Sequence, residues 1–123
     1  MPTKTARRKA YDHGHWAETI SALFLCLKGY KILAQRYKTP VGEIDLIARK
    51  KNMILIIEVK ARETKEAALH AVRPQNRRRI ENAARYFLAH HPAYYDFALR
   101  FDVITVSGGL SVYHLDNAWI EGQ

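Results

Sequence analysis

Asp45, Glu58 and Lys60 are the residues whose types and spacing are best suited to chemistry. Two carboxylates can hold a hard divalent cation such as Mg²⁺ or Mn²⁺, and an ammonium beside them can orient a water or neutralise charge developing on phosphorus. Together they could support metal-assisted hydrolysis of a phosphodiester. An Asp followed at variable distance by Glu-x-Lys is a common pattern, so its weight depends on geometry.

That geometry comes from the flanking residues. Residues 43–49 and 53–60 are rich in Ile, Leu and Val and are separated by Lys50-Lys51-Asn52, the pattern of two strands and a tight turn. Asn52 is the residue expected to take the left-handed backbone of the turn. With Lys50 facing Met53, Asp45 falls opposite Glu58. Alternation then puts Glu43, Asp45, Ile47, Ile56, Glu58 and Lys60 on one face, and Ile44, Leu46, Ala48, Leu55, Ile57 and Val59 on the other. The second face is wholly apolar and suits a helix, whereas a slip of one residue would mix the acids into it.

Directly opposed side chains have Cβ atoms about 5 Å apart, close enough for Asp45 and Glu58 to share one cation. Without it they repel by roughly 3 kcal/mol at an effective dielectric of about 20. Glu43, opposite Lys60 in this register, is expected to hold the lysine by an ion pair. The competing reading is a solvated hairpin with an incidental acid pair.

The elements that must position this hairpin are legible in outline. Apolar residues at Trp16, Ile20, Leu23, Phe24 and Leu27 have helical spacing over about 14–28, and Gly29 is placed to stop the helix. On that wheel Glu18 lies opposite the apolar stripe and reads as exposed. Residues 30–37 read as a first strand. Pro74 opens a second helix with Ile80, Ala84, Phe87 and Leu88 as its buried stripe, and Pro92 ends it. The stretch 64–73 is less regular. Strands follow at 100–106 and 110–115, so the expected order is α-β-β-β-α-β-β, an α/β fold with a central mixed sheet flanked by helices.

The chain has 123 residues, a length for one domain (13–123) preceded by a basic arm (1–12) that carries Lys4, Arg7, Arg8 and Lys9. A net charge of +8 and a pI near 9.8 favour a polyanionic partner, nucleic acid ahead of a membrane surface. Arg73, Arg77, Arg78 and Arg79 crowd the start of the second helix, where cations oppose the macrodipole, and this favours contact with phosphates. Against it, Arg78 and Arg85 flank Glu81 at salt-bridge spacing.

The single Cys26 excludes an internal disulfide framework and is expected to pack as a small hydrophobe. The basic N-terminus has no apolar stretch of the secretory kind, and no apolar run is long enough to span a bilayer, so a cytoplasmic protein is expected. His13 and His15 read as surface residues, His90 and His91 as complements to a helix end. Asp102 lies among apolar strand residues and reads either as a structural hydrogen-bonding group or as support for the site.

Further motifs carry a resemblance. Gly14-x-x-Ala17-Glu18, Gly29-Tyr30, the run from Gly42 to Ala48, Glu58-Val59-Lys60-x-Arg62 and Arg100-Phe101-Asp102-Val103 resemble the bacterial YraN-like family of uncharacterised endonuclease-like proteins over roughly residues 13–119. That family is similar to archaeal Holliday junction resolvases and to the wider PD-(D/E)XK, restriction-endonuclease-like fold. The resemblance implies Asp45 and Glu58 as ligands of Mg²⁺ or Mn²⁺, Lys60 as catalytic lysine and Glu18 as a contribution from the first helix. It also implies DNA, branched or otherwise structured, as substrate, and a homodimer if the protein resolves junctions. Relatives carry Lys-Gln where this chain has Asn76-Arg77. A binding module of the same fold that does not cleave is the alternative.

Overall fold

The computed structural model describes residues 4–71, 73–108 and 111–122, with side chains from residue 14 onward. Helix α1 (Lys4–Leu27) is followed by β1 (Lys31–Thr39), β2 (Gly42–Lys50) and β3 (Met53–Ala61), then α2 (Lys65–His70) and α3 (Pro74–His90). A short 3-10 turn (Pro92–Tyr94) leads into β4 (Ala98–Ser107) and β5 (Ser111–Trp119). The five strands form one sheet in the order β1-β2-β3-β4-β5. β3 and β4 run parallel and the other neighbours antiparallel, giving the expected mixed sheet flanked by helices, an architecture consistent with a restriction-endonuclease-like fold.

The β2–β3 hairpin has the expected register, with Lys50 opposite Met53 and Leu46 opposite Ile57. Its left-handed residue is Lys51 (φ 54), not Asn52. A two-residue loop accommodates positive φ at its first position, which leaves the residue type at the second less constrained.

Both faces of the hairpin are buried. Leu46, Ala48, Leu55, Ile57 and Val59 pack with Ala17, Ala22 and Leu25 of α1. Ile47, Ile54 and Ile56 pack with Ile80, Ala83, Ala84 and Phe87 of α3. Ile44 joins the α3 side although alternation assigns it to the other; the β2–β3 ladder stops at Leu46, and beyond it strict alternation no longer fixes a face.

Helix α1 is helical from Lys4, where the sequence suggested an arm; the side chains of Lys4, Arg7, Arg8, Lys9 and His13 lie outside the described residues. The face it buries is also different from the one expected. Ala17, Glu18, Ser21, Ala22 and Leu25 are turned inward, while Trp16, Leu23 and Leu27 are 39, 58 and 89% exposed. Small side chains let the helix backbone approach the sheet closely, so a count of large apolar residues picked the wrong face. Cys26 is exposed as well, contrary to expectation. Gly29 (φ 88) ends the helix, with the Tyr30 amide donating to the Leu25 carbonyl.

Between β3 and α3 the irregular stretch contains α2, capped by the Thr64 side chain, which accepts from the Ala67 amide at 3.1 Å. Pro74 starts α3 as expected. Among the described residues no helix is long and apolar enough to cross a membrane.

Candidate metal and phosphate site

Asp45 lies just past the end of the β2–β3 ladder. Where the next backbone bond would form, the Val59 amide donates instead to Asp45 Oδ2 at 2.8 Å. The carboxylate thus lies beyond the last paired residues of the hairpin, within hydrogen-bonding reach of Glu58. On its other side the β1–β2 pairing runs from Gln35↔Leu46 to Tyr37↔Ile44 and steps over Arg36, which has a left-handed backbone (φ 52).

Asp45, Glu58, Lys60 and Glu43 line one cleft with Asn76, Arg79 and Ile80 of α3. α3 crosses the start of β2 closely. A Cβ on Gly42 would lie 2.3 Å from the Arg79 carbonyl oxygen, so glycine at that position sets the distance between the arginine helix and the carboxylates.

Burial raises the Asp45 pKa to about 8, with further upward pushes from the Glu58 charge, from Glu18 and from the hydrogen bond between the two carboxyls; the Val59 amide pulls it down. Asp45 therefore favours its protonated form near neutral pH in the absence of a cation. Lys60 Nζ is 3.1 Å from Glu58 Oε1, so its ion pair is with Glu58 and not with the exposed Glu43. The β2–β3 ladder ends at Leu46 and Ile57, so Glu43 and Lys60 are not paired across it, while Glu58 and Lys60 share a face of β3.

Glu18, read as exposed from its wheel position, is only 9% exposed, and its Oε2 accepts from Arg36 Nε at 2.6 Å. Its charge acts on the Asp45 carboxyl, so it stands near the acid pair, although it does not line the cleft. Among the described residues no group of three or more His, Cys, Asp or Glu side chains is arranged to hold a metal. The donors present are two carboxylates open to a cleft. They fit a hard cation that keeps several waters and accepts substrate oxygens, and do not fit a closed structural zinc site.

The arginine cluster divides. Arg79 lines the carboxylate cleft, and with Arg78, Gln75, Pro74 and Asn82 it lines an adjoining cavity. Arg77 instead turns over the Trp119 ring at 5.6 Å, with its Nε buried and without a hydrogen bond. Arg73 is exposed at the α3 N-cap without a side-chain cap bond. Glu81 does not pair with its helical neighbours: it is buried and accepts from Trp119 Nε1 at 3.1 Å and the Gly122 amide at 3.0 Å, while Arg85 pairs with Glu121.

Asp102 proves to be a structural centre away from the cleft. Fully buried, it accepts two bonds from Arg100 at 2.9 Å, one from the Asn117 amide at 2.9 Å and one from His114 at 2.7 Å. Lys28 Nζ lies 2.9 Å from His114 Nδ1; an ammonium only donates, so Nδ1 accepts and Nε2–H faces the carboxylate.

A five-stranded mixed sheet between helices, with an acid pair at the end of its central hairpin, defines the architectural class. The chain belongs to the uncharacterised protein family UPF0102, whose sequence profile matches residues 17–106 and to which the YraN-like resemblance points. A UPF0102 protein of Chelativorans sp. (strain BNC1) is 44% identical over 116 residues, covering 94% of each chain. One from Agrobacterium fabrum is 53% identical over 100 residues, covering 81% of this chain and 82% of that one. Another from Caulobacter vibrioides is 44% identical over 115 residues, covering 94% and 90%.

Proposed function

We propose that this protein is a metal-dependent nuclease that hydrolyses phosphodiester bonds of DNA. The observation that carries the reading is the convergence of Asp45 and Glu58 in a cleft whose opposite wall presents Arg79 and Asn76. Bound between the carboxylates, Mg²⁺ or Mn²⁺ would supply Lewis acidity and lower the pKa of a coordinated water.

The chain's own groups do the rest. The Val59 amide fixes Asp45 through Oδ2, and a bound cation would take the place of the proton between Asp45 and Glu58. Lys60, held at the cleft by Glu58, is placed to orient the attacking water or to neutralise charge on the phosphorane. Arg79 and Asn76 supply donors for non-bridging phosphate oxygens. The net charge of +8 favours approach of a polyanion. The preference for DNA, and for branched or structured DNA, comes from the resemblance to resolvases, and action on a junction would call for a homodimer with two sites.

The test is cleavage of labelled duplex, single-stranded and four-way-junction DNA with and without Mg²⁺ or Mn²⁺, comparing wild type with Asp45→Ala and Lys60→Ala. Metal-dependent cleavage lost in both variants is expected. Tight DNA binding with no cleavage of any substrate would instead identify a binding module of the same fold.

A further inference from the structure

Arg36 has no assigned role, yet three features place it at the carboxylate cluster. It sits across β1–β2 from Asp45, between the pairs Gln35↔Leu46 and Tyr37↔Ile44. Its backbone is left-handed (φ 52), a conformation rare for a long side chain and retained where the surroundings enforce it. Its guanidinium meets Glu18 at 2.6 Å, with the two side chains 28% and 11% exposed.

Glu18 is nearly buried, and a carboxylate so placed needs a counter-charge. Arg36 supplies one permanently, because a guanidinium does not deprotonate in proteins. Glu58 and Glu18 both act on the Asp45 carboxyl, so three acids stand near one another.

We propose that Arg36 is a positioning residue that acts as a resident cation: it satisfies Glu18, so that a divalent ion is held by Asp45 and Glu58 alone and the cluster takes one ion rather than two. The inference rests on the metal-site reading above. It gives the first helix a defined part in the site, since Glu18 closes the acidic end of the cluster as an ion pair and not as a ligand. Were Arg36 absent, Glu18 would be free to turn its carboxylate toward the cation, and affinity would rise with the added ligand charge.

Mn²⁺ titration of the full chain, followed by electron paramagnetic resonance and calorimetry, tests this without any substrate. Wild type is expected to bind one Mn²⁺, and binding is expected to disappear in Asp45→Asn. Arg36→Gly, which suits the left-handed backbone, is expected to bind Mn²⁺ about tenfold more tightly. Adding Glu18→Gln to that variant is expected to return the affinity to the wild-type level. Arg36→Asn serves as a second variant because asparagine also tolerates this backbone. Two Mn²⁺ ions per wild-type chain, unchanged affinity in both Arg36 variants, or tight binding that persists in the double variant would overturn the resident-cation role alone. Absence of any Asp45-dependent Mn²⁺ binding in wild type would overturn the metal-site reading with it.

Discussion

The Val59 amide donates to Asp45 Oδ2 across 2.8 Å at the point where the β2–β3 ladder gives out, so a side-chain carboxylate takes the place of a backbone carbonyl. This fixes the carboxylate while burying it beside a second acid. A metal-free protein must carry the resulting electrostatic cost.

A pH dependence of stability follows. The Asp45 pKa, raised to about 8 from 3.8, favours the protonated form in the folded state. Its contribution is fully present below the unfolded value and is lost as pH rises through the folded one. Without divalent ions, the melting temperature should therefore fall between about pH 4 and 8, and Asp45→Asn should flatten this trend. At pH 8 that variant should melt higher than wild type by on the order of 5 °C. Scanning fluorimetry across pH is the measurement; a variant with the same pH slope as wild type would refute the assignment. Divalent-ion affinity should climb over the same window as the competing proton is lost.

Substitution at Gly42 probes the wall opposite the carboxylates. An added Cβ would meet the Arg79 carbonyl oxygen at 2.3 Å, a backbone atom that cannot swing aside. Gly42→Ala should cost about 1–3 kcal/mol, read by urea denaturation, as overpacking generally does. It should also weaken DNA binding by moving Arg79 outward, and unchanged stability and binding would show that α3 yields freely.

How much of this was legible in the sequence differs between elements. Alternation gave the β2–β3 register, because one wholly apolar face leaves a single acceptable pairing. The same logic failed for α1, where Ala17, Ser21 and Ala22 make the contact, Leu23 and Leu27 stay largely outside and Trp16 is only partly covered. Close packing selects small residues, and a periodicity of large ones does not register it. The Glu18 ion pair escaped for a related reason: nothing in the residue type marks Arg36 as left-handed. Thr64 before Lys65-Glu66 was the available sign of α2, since threonine is a favoured N-cap.

Asp102 should behave oppositely to Asp45. Burial pushes its carboxyl up, but hydrogen bonds from His114, Arg100 and the Asn117 amide, together with the Arg100 charge, outweigh this and hold it below the ordinary 3.8. A depressed folded pKa contributes stability above the unfolded value that is lost as pH falls through the folded one. Wild type should thus lose stability below pH 3.8, an acid limb that Asp102→Asn would lack. At neutral pH Asp102→Ala should cost about 3–5 kcal/mol by leaving Arg100 partly buried without its counter-charge. Chemical denaturation at pH 7 and 3 measures both effects, and a loss under about 1 kcal/mol at pH 7 would contradict the account.

Thr105 is fully buried on β4, and its hydroxyl has no hydrogen-bond partner. Thr105→Val keeps the shape and removes the unsatisfied group, so it should stabilise the fold by about 1 kcal/mol in urea denaturation. A destabilised variant would indicate that the hydroxyl has a partner in solution.

Strand order also bears on how the molecule assembles. β1, β2 and β3 form a meander joined by short turns, so Arg36, Asp45, Glu58 and Lys60 come together through contacts of low sequence separation. The parallel β3–β4 pairing must await closure of the long crossover that contains α2 and α3. Local pairings form readily, whereas non-local ones are slowed by loop closure. The acidic wall of the cleft is thus a nearest-neighbour product of the chain, and the arginine wall is added by the crossover, so a nascent chain acquires its carboxylate pair before the helix that faces it.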